Sequence, residues 1–449
     1  MDIHSIYLRY RFWILDFFKG SPIGKPYREI KVFDKLSFAD GANKRERKLK
    51  QLLAFAQTNT IFYKNIKSYN LTDYPVINKQ TLINHHKEIE VSQEVIPGQK
   101  GNIYIQKTSG STGIPLEIPQ DTLKRKRRIA ELKYFGKRVG FNTHDLLIHL
   151  RIWNKWQTKS LKQIQKENII PFDISDMGES RIKELCEIMK KEHVVALRGY
   201  ASVIDLLATY VQHHPQCFPH LKIIISVSET LQDETRNKVK KYLKCEIISQ
   251  YANEECGILA QEIPPTKPTD NIMYINHTGY YFEVLKMDSN EPCAYGELGR
   301  IVITDLHNYA FPLIRYDTGD VGVLLPPNER SKGYPVLGKL LGRKLDICYT
   351  TNGEPFSSML LSRTLKHYDQ IIQWQFIQKK EKEYCLKVIM QQNCDTNKYL
   401  ESAISELLKV LGPDAIIKIE QVNEIPVLSS RKRKPVINEW KNGKYTQQV

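Results

Sequence analysis

Paired cysteines at metal-binding spacing are missing from this sequence of 449 residues. Its eight cysteines stand at positions 186, 217, 245, 256, 293, 348, 385 and 394. No two of them form a CxxC pair, so the usual paired spacing of a zinc site is absent. A disulfide framework is typical of small secreted domains and is not expected in a chain of this length. We therefore expect reduced thiols in a cytoplasmic protein.

Long uncharged apolar runs are also missing. The N-terminal stretch MDIHSIYLRYRFWILDFF is apolar and aromatic, but Arg9, Arg11 and Asp16 interrupt it. A signal peptide keeps its charges ahead of its apolar run, so we expect neither an export signal nor a transmembrane segment. Two interpretations remain, an amphipathic helix at a membrane surface and a helix docked on the protein's own body. We favour the second.

Internal repeats are absent, and acidic residues are outnumbered by basic ones. Lysine and arginine total 66 against 50 aspartates and glutamates, a formal net charge of +16. This excess favours anionic partners, including nucleotides, coenzyme A, acidic carrier proteins, nucleic acid and lipid headgroups.

The densest basic run, Lys124 to Arg128, opens a helix on which Ile129, Leu132, Phe135 and Val139 recur at helical spacing. This pattern predicts an inward apolar stripe and a solvated basic face. No aromatic residues interleave the basic run, as stacking on single-stranded nucleic acid would require, and no nucleic-acid partner is expected.

Apolar strand cores alternate with helical patterns from about residue 145 to residue 251, which predicts parallel βαβ units. The stretches MYINHTGYYFEVLKM, GRIVITDL and VGVLLP then indicate antiparallel strands. EYCLKVIMQ, KYLESAISELLKVLG and DAIIKIEQV indicate a separate small α+β domain. We predict an α/β protein whose large N-terminal domain, residues 1–341, combines βαβ sheets with an antiparallel β subdomain. Residues 342–449 form the small domain.

The loop TSGSTGIP, Thr108 to Pro115, is rich in hydroxyl groups and glycine. It joins the predicted strands GNIYIQ and PLEI, whereas a Walker loop joins a strand to a helix. A Walker loop also carries lysine after its last glycine, and here Ile114 follows Gly113. By itself the loop is compatible with a phosphate site or a surface turn.

Four stretches follow one another along the chain: TSGSTGIP, QYANEECG, LIRYDTGDVG and GRKLD. A basic SSRKRK comes near the C-terminus. Together they resemble the adenylate-forming superfamily of acyl-CoA synthetases, peptide-synthetase adenylation domains and luciferases. SVSETL and ECGILAQE resemble its branch of phenylacetate-CoA ligases and related ligases of capsular-polysaccharide gene clusters. The resemblance runs from about residue 50 to the end, and implies the adenylate-forming fold with a mobile small domain.

The resemblance implies that a phosphate-binding loop holds the β- and γ-phosphates of ATP through Thr108, Ser109, Gly110, Ser111, Thr112 and Gly113. Glycines let backbone N–H groups approach the phosphates, and the hydroxyls donate hydrogen bonds. Glu255 is implied as the magnesium ligand, with Glu254 as the alternative, because Mg²⁺ prefers carboxylate oxygen. Thr108 and Glu255 belong to the implied catalytic set.

The resemblance also implies a nucleoside pocket. Four residues are placed at the adenine: Ser228, Glu229, Tyr251 and Ala252. Asp320 is placed at the ribose, where the two oxygens of one carboxylate suit a vicinal diol. Arg343 is placed at the ribose or a phosphate.

A mobile C-terminal lysine completes the implied catalytic set by bridging the substrate carboxylate and the α-phosphate. In LSSRKRKPVI, Lys432 takes this role when the chain is aligned on the following PVI. Lys434 is the alternative, and a plain basic loop is a third interpretation.

The sequence departs from its relatives at two places. Ile263 and Tyr274 stand where many relatives carry a cysteine and a histidine that bind a structural zinc, so no zinc is expected. Leu345 stands at the hinge position after GR, which puts the domain rotation of the second half-reaction in doubt.

We therefore predict an ATP- and Mg²⁺-dependent carboxylic-acid ligase that forms an acyl-adenylate and transfers the acyl group to a thiol, with coenzyme A as the preferred acceptor. One alternative is an amide-forming ligase that acts on an amine, for example of a sugar in surface-polysaccharide biosynthesis. An acidic carrier protein as acceptor and a degenerate nucleotide-binding protein are further alternatives. The acid pocket is expected between about Trp153 and Ala252, with Arg151 as a candidate contact.

Overall fold

The computed structural model describes residues 2–107, 116–153, 159–264, 272–343, 348–356, 361, 364–365, 368, 370–391, 396–425 and 436–440. Several residues singled out in the sequence lie outside these ranges: the loop Thr108 to Pro115, Leu345, Lys432 and Lys434. For Arg343 the described part is its backbone, at the end of a strand.

The described residues form two compact units. The larger contains residues 2–107, 117–318 and 323–339. The smaller contains residues 116 and 319–322 together with the described residues from 340 to 440.

The helices of the larger unit are α1 (Ile3–Phe18), α2 (Gly24–Phe33), α3 (Phe38–Asn59), α4 (Lys79–Asn84), α5 (His86–Ile89), α6 (Thr122–Arg138), α7 (Leu161–Glu167), α8 (Glu179–Lys191), α9 (Ala201–His213) and α10 (Asp233–Lys238). The smaller unit contributes α11 (Thr396–Leu411). Short 3₁₀ turns connect several of these elements, and α10 continues into one π-helical turn at Val239–Leu243.

The first strands are β1 (Tyr104–Lys107), β2 (Glu117–Gln120), β3 (Leu146–Arg151), β4 (Ile169–Asp173), β5 (Val194–Tyr200), β6 (Ile223–Val227), β7 (Glu246–Asn253), β8 (Gly257–Gln261) and β9 (Tyr274–Ile275). They are followed by β10 (Tyr280–Leu285), β11 (Leu298–Asp305), β12 (Tyr316–Leu325) and β13 (Val336–Arg343). The last strands are β14 (Cys348–Tyr349), β15 (Pro355–Phe356), β16 (Ile371–Gln378), β17 (Glu383–Met390), β18 (Ile416–Gln421) and β19 (Val436–Asn438).

A mixed seven-stranded sheet lies at the centre of the larger unit, in the order β4-β3-β5-β6-β7-β8-β9. Its first five strands are parallel, β8 runs antiparallel to β7, and β9 runs antiparallel to β8. Parallel strands were predicted in this region, although β4 was not among them. From β3 the chain proceeds to β4 on one side and then returns to β5 on the other. The junction of β3 and β5 is therefore the point at which the direction of winding reverses.

Helices cover both faces of the parallel strands, so β6 is buried at all five positions. Alternate residues of that strand belong to different core clusters. Ile224 packs with Leu207 of α9, and Ile223 and Ile225 pack with Val139 at the end of α6. This alternation follows from the period of two residues in a strand.

The antiparallel strands were also predicted, and they form a second sheet in the order β10-β11-β12-β13. The smaller unit contains a four-stranded sheet in the order β18-β17-β16-β19. Residues of α11 such as Leu407 are buried together with Phe376 and Leu386 of that sheet. The predicted α/β class is confirmed, with βαβ units, an antiparallel sheet and a small α+β unit.

Helix α6 buries part of the apolar stripe that its spacing predicts, since Phe135 and Val139 are buried. Ile129 and Leu132 are exposed, whereas Lys124 and Arg127 are almost fully buried. The expectation of a solvated basic face is therefore wrong for these two residues, because each interacts with a buried acceptor. Lys124 pairs with Asp305 at 2.5 Å, and Arg127 donates to the carbonyl of Thr278 at 2.9 Å.

Helix α1 docks on the larger unit through one face, which confirms the preferred interpretation of the N-terminal segment. Arg9 donates to the carbonyl of Thr143 at 3.0 Å and pairs with Asp145. The Asp16 carboxylate accepts from the backbone N–H groups of Ile23 (2.9 Å) and Gly24 (2.7 Å), at the start of α2. None of the described helices combines the length and apolar content needed to cross a bilayer.

The buried pair of Lys124 and Asp305 generates a first prediction. Lys124→Met leaves a carboxylate at 0 % exposure without its cation, and we expect a loss of about 3–5 kcal/mol in the free energy of unfolding. Lys124→Met combined with Asp305→Asn should recover most of that loss. Urea denaturation measures both variants, and Lys286→Met is the control. It removes the exposed pair with Glu291 and should cost at most about 1 kcal/mol. Equal losses in the two single variants would contradict this expectation.

His277 generates a second prediction, on acid stability. Burial lowers the pKa of its imidazole to about 3, although one ring N–H donates to the carbonyl of Pro335. The unfolded chain has a histidine pKa of about 6.5 and binds the proton first, so stability is full above that pH and falls as the pH drops towards 3. The contribution of this histidine should fall by about 2 kcal/mol between pH 7 and pH 5.

The urea midpoint at the two pH values measures this effect. His277→Gln keeps a donor for Pro335 and removes the titration, so its midpoint should fall less than that of the unmodified chain. His213→Gln, at an exposed position on α9, should leave the acid sensitivity as it is. An acid sensitivity unchanged by His277→Gln would refute the assignment.

Candidate functional site

The candidate site lies at the carboxyl edge of the parallel strands. β3 ends at Arg151, β5 at Tyr200, and β6 is followed by Ser228 and Glu229. β7 leads into a turn that carries Glu254 and Glu255 before β8. Because parallel strands end at the same edge, these polar residues gather there, beside the reversal between β3 and β5.

Two glutamines tie the β1–β2 hairpin to the acidic turn. Gln106 of β1 donates from Nε2 to Glu254 Oε2 at 2.9 Å. Gln120 of β2 donates from Nε2 to the carbonyl of Glu255 at 3.1 Å. β1 and β2 pair antiparallel in the register Lys107 to Glu117, which confirms the strand–loop–strand setting. The chain on both sides of the loop Thr108 to Pro115 is thus held at the glutamate turn.

The two glutamates of this turn have different surroundings. Glu254 lies between two guanidinium groups, with Oε2 at 4.0 Å from Arg128 and Oε1 at 3.8 Å from Arg151. Arg128 also donates to the Glu254 carbonyl at 2.9 Å. Glu255 Oε1 accepts a long bond of 3.5 Å from the hydroxyl of Tyr316. The Glu254 carboxylate therefore already interacts with two cationic side chains.

The residues predicted at the adenine lie at this edge. Glu229 accepts from the backbone N–H of Ser202 at 2.8 Å, in the first turn of α9. Ser228, just before it, has a positive φ of 67°. The ring of Tyr251 is buried, and its hydroxyl donates to Thr318 Oγ1 at 3.2 Å. Ala252 follows on β7. Their roles towards a nucleotide stay predictions.

Asp320 lies on β12, in the four residues of that strand that belong to the smaller unit. Arg343 ends β13 in the same unit. Their predicted contacts with the ribose and phosphates also stay predictions.

The structure adds a cluster of cations at the β3–β5 junction, of which sequence reasoning named only Arg151. Arg198 on β5 donates to Gln250 Oε1 at 2.8 Å. Burial, followed by the repulsion of Arg151 and opposed by Glu254, lowers the pKa of Arg198 to about 10. Among the described residues, its buried Nε has no hydrogen-bond partner. The signal in the sequence was a lone arginine inside the apolar strand VVALRGY.

Two rings close this cluster. The Arg151 guanidinium lies 5.4 Å from the Trp153 ring centroid, and the His149 ring also lies 5.4 Å from Trp153, edge-on. Burial and the neighbouring Arg198 and Arg151 hold the pKa of His149 well below its usual range, so this histidine is neutral at pH 7. The junction therefore combines an aromatic wall with an excess of positive charge.

Close backbone packing sets the spacing at this junction. A Cβ on Gly199 would lie 2.5 Å from the Cβ of Leu150 on β3, which no ordinary contact tolerates. Glycine at this position lets β5 approach β3 between Arg198 and Tyr200. The arginines of the two strands are brought together as a result.

Arg330 joins Ile263 and Tyr274, the two positions at which the resemblance implied a loss of zinc ligands. Arg330 donates from Nη2 to the carbonyls of Ile263 (3.2 Å) and Pro264 (3.0 Å), and its guanidinium lies 5.7 Å from the ring centroid of Tyr274. Within the described ranges, no three His, Cys, Asp or Glu side chains come together as metal ligands. Magnesium usually takes only one or two carboxylates from a protein and does not need such a cluster.

Comparisons with known proteins agree with this architecture. Residues 348–439 match the family described as the CapK C-terminal domain. A segment of 154 residues is 29% identical to a phenylacetate-coenzyme A ligase of Pseudomonas putida. That segment spans 33% of this chain and 34%, about a third, of the length of that enzyme.

Solved structures match over a larger part of the chain. A 2-hydroxyisobutyryl-CoA ligase in the postadenylation state, in complex with R3-HIB-AMP, matches with a TM-score of 0.69 over 93% of both chains at 16% identity. The chain has the adenylate-forming fold. An anthranilate CoA ligase in complex with anthranoyl-AMP matches with a TM-score of 0.54 at 13% identity, over 77% of this chain and 67% of that one. The predicted resemblance to the adenylate-forming superfamily, in its phenylacetate-CoA ligase-like branch, is confirmed.

Proposed function

We propose that the protein is an ATP-dependent carboxylic-acid ligase that forms an acyl-adenylate and transfers the acyl group to a thiol, with coenzyme A as the preferred acceptor. The carrying observation is the pair of glutamine contacts that hold the β1–β2 hairpin to the glutamate turn, by Gln106 and Gln120. These contacts hold the strands that flank the loop Thr108 to Pro115 beside the turn that carries Glu255, a carboxylate of the kind that Mg²⁺ prefers.

In the first half-reaction a carboxylate oxygen of the acid attacks the α-phosphorus of ATP, and pyrophosphate leaves. In the second, the thiol sulfur attacks the acyl carbonyl carbon, the thiol proton is lost, and AMP leaves. The phosphate-binding loop, Thr108 to Gly113, would hold the β- and γ-phosphates, and Asp320 and Arg343 would hold the ribose. Lys432, or Lys434, would bring positive charge to the transferring phosphate.

Glu255 is the proposed magnesium ligand, and the contacts of its neighbour support this choice. Glu254 already interacts with Arg128 and Arg151, so a cation would have to displace two guanidinium groups to reach it. A bound Mg²⁺ would supply charge neutralisation at the phosphates. Glu255 suits the role of magnesium ligand because its carboxylate lies at the same edge of the sheet as the proposed nucleotide site.

The acid is proposed to bind at the junction of β3 and β5. Open α/β sheets bind ligands outside the carboxyl ends of their strands where the winding reverses. Arg151 and Arg198 offer positive charge to an anionic group, and Trp153 offers an apolar wall. This position agrees with the pocket predicted between Trp153 and Ala252.

The acceptor is proposed by analogy. One relative is named a phenylacetate-coenzyme A ligase, and the 2-hydroxyisobutyryl-CoA ligase has been described in complex with 2-HIB-AMP and CoA. These names support coenzyme A. The match of residues 348–439 to the CapK C-terminal domain favours the second candidate, an amide-forming ligase that acts on an amine of a sugar.

An acid-dependent exchange between ATP and labelled pyrophosphate tests the first half-reaction. We expect exchange above the no-acid control with at least one acid of a broad panel. Lys432→Ala should lower that exchange by about 100-fold or more while ATP still binds, and Lys434→Ala is the matched control. A larger loss of exchange in Lys434→Ala would identify Lys434 as the catalytic lysine instead. Absence of exchange with every acid would refute the ligase.

The magnesium assignment is tested with two matched glutamate variants. Glu255→Gln should raise the Mg²⁺ concentration for half-maximal exchange by about tenfold or more, because a neutral amide replaces a charged ligand. Glu254→Gln should leave that concentration nearly unchanged. The Mg²⁺ titration of exchange measures both, and the opposite order would identify Glu254 as the ligand.

A further inference from the structure

Helix α1 carries an apolar stripe on the face opposite to its docked side. Six large side chains of this α1 stripe are exposed: Ile3, Tyr7, Tyr10, Ile14, Phe17 and Phe18. Their exposed fractions reach 82% at Ile3 and 79% at Phe18. The spacing of three or four residues puts all six on one side of the helix, and over its 16 residues the helix is about 24 Å long.

Contacts on the docked side fix the orientation of α1, so the helix cannot rotate about its axis to bury this stripe. Ser5 accepts from Asn168 Nδ2 at 3.1 Å, and Arg9 is held by Thr143 and Asp145. The ring of Phe12 lies 5.0 Å from that of His144 and 4.1 Å from Lys133 Nζ. Contiguous exposed apolar surface held in this way marks an interaction site.

The charges around the stripe indicate what covers it. From Arg11 to Arg28 the one acidic residue is Asp16, which is buried as an acceptor for the start of α2. Arg11, next to the stripe on α1, and Lys19, directly after the helix, are both exposed. An apolar and aromatic face bordered by cations is the pattern of a helix that lies in the headgroup region of an anionic bilayer. The two tyrosines suit this depth, since their rings are apolar and their hydroxyls need water.

We infer that α1 docks the protein on an anionic lipid surface, with the α1 stripe inserted at the boundary of headgroups and acyl chains. The helix lies on the membrane and does not cross it. The cations of Arg11 and Lys19 face the lipid phosphates and carboxylates. This docking is independent of the proposed ligase chemistry.

Vesicle flotation of the full chain tests the inference. We expect the chain to float with phosphatidylcholine vesicles that contain about 30 mol % phosphatidylserine, and to float less as salt is added. Phosphatidylcholine alone should bind more weakly. Phe17→Ser with Phe18→Ser should lower the bound fraction at limiting lipid by about tenfold or more. Both side chains are exposed, so the fold should persist, as thermal unfolding would check.

Leu161→Ser is the matched control, because Leu161 is also highly exposed but lies on α7. It should float like the unmodified chain. Absence of flotation, or flotation that the double variant leaves unchanged, would overturn the inference. So would a concentration-dependent dimer that the double variant abolishes in a chain that binds no vesicles, since the stripe would then join two copies.

Discussion

The buried ion pair between Lys124 and Asp305 is the contact on which the arrangement of the candidate site depends. It holds α6 against the antiparallel sheet at 2.5 Å, in a place where neither side chain meets water. Tyr280 joins it, with its hydroxyl 3.2 Å from Lys124 Nζ. One turn further along α6, Arg128 donates to the carbonyl of Glu254. The position of the glutamate turn is thereby linked to a buried ion pair, and the loss of either partner of such a pair is strongly destabilising.

The positive charge of the chain serves three different purposes. In α6 it is turned inward and satisfies buried acceptors, as Arg127 does with Thr278. At the junction of β3 and β5 it exceeds the negative charge, since Arg128, Arg151 and Arg198 surround Glu254. On α1, the exposed Arg11 and Lys19 accompany exposed apolar side chains. The net charge of +16 does not reveal these roles, because it does not distinguish paired cations from unpaired ones.

Much of the fold could be predicted from local patterns. Alternating apolar strands and helices predicted the parallel strands β3, β5, β6 and β7, although not β4, and turn residues between short strands predicted β10 to β12. The strand–loop–strand setting of the phosphate-binding loop was also predicted. The burial of Lys124 and Arg127 on α6 was not predicted, because their partners, Asp305 and Thr278, are distant in the chain. Spacing within a helix cannot reveal such partners.

The sequence by itself determined the order of the motifs and the types of side chain at each. Glu254 and Glu255 were named from it, but their division of labour was left open. The tertiary structure supports the proposal of Glu255, because Arg128 and Arg151 come from separate elements and meet at Glu254. The same holds for Arg198, which joins Arg151 because parallel strands bring their ends to one edge. Local composition determines which elements form, and contacts between distant residues determine which charges are left to act on a ligand.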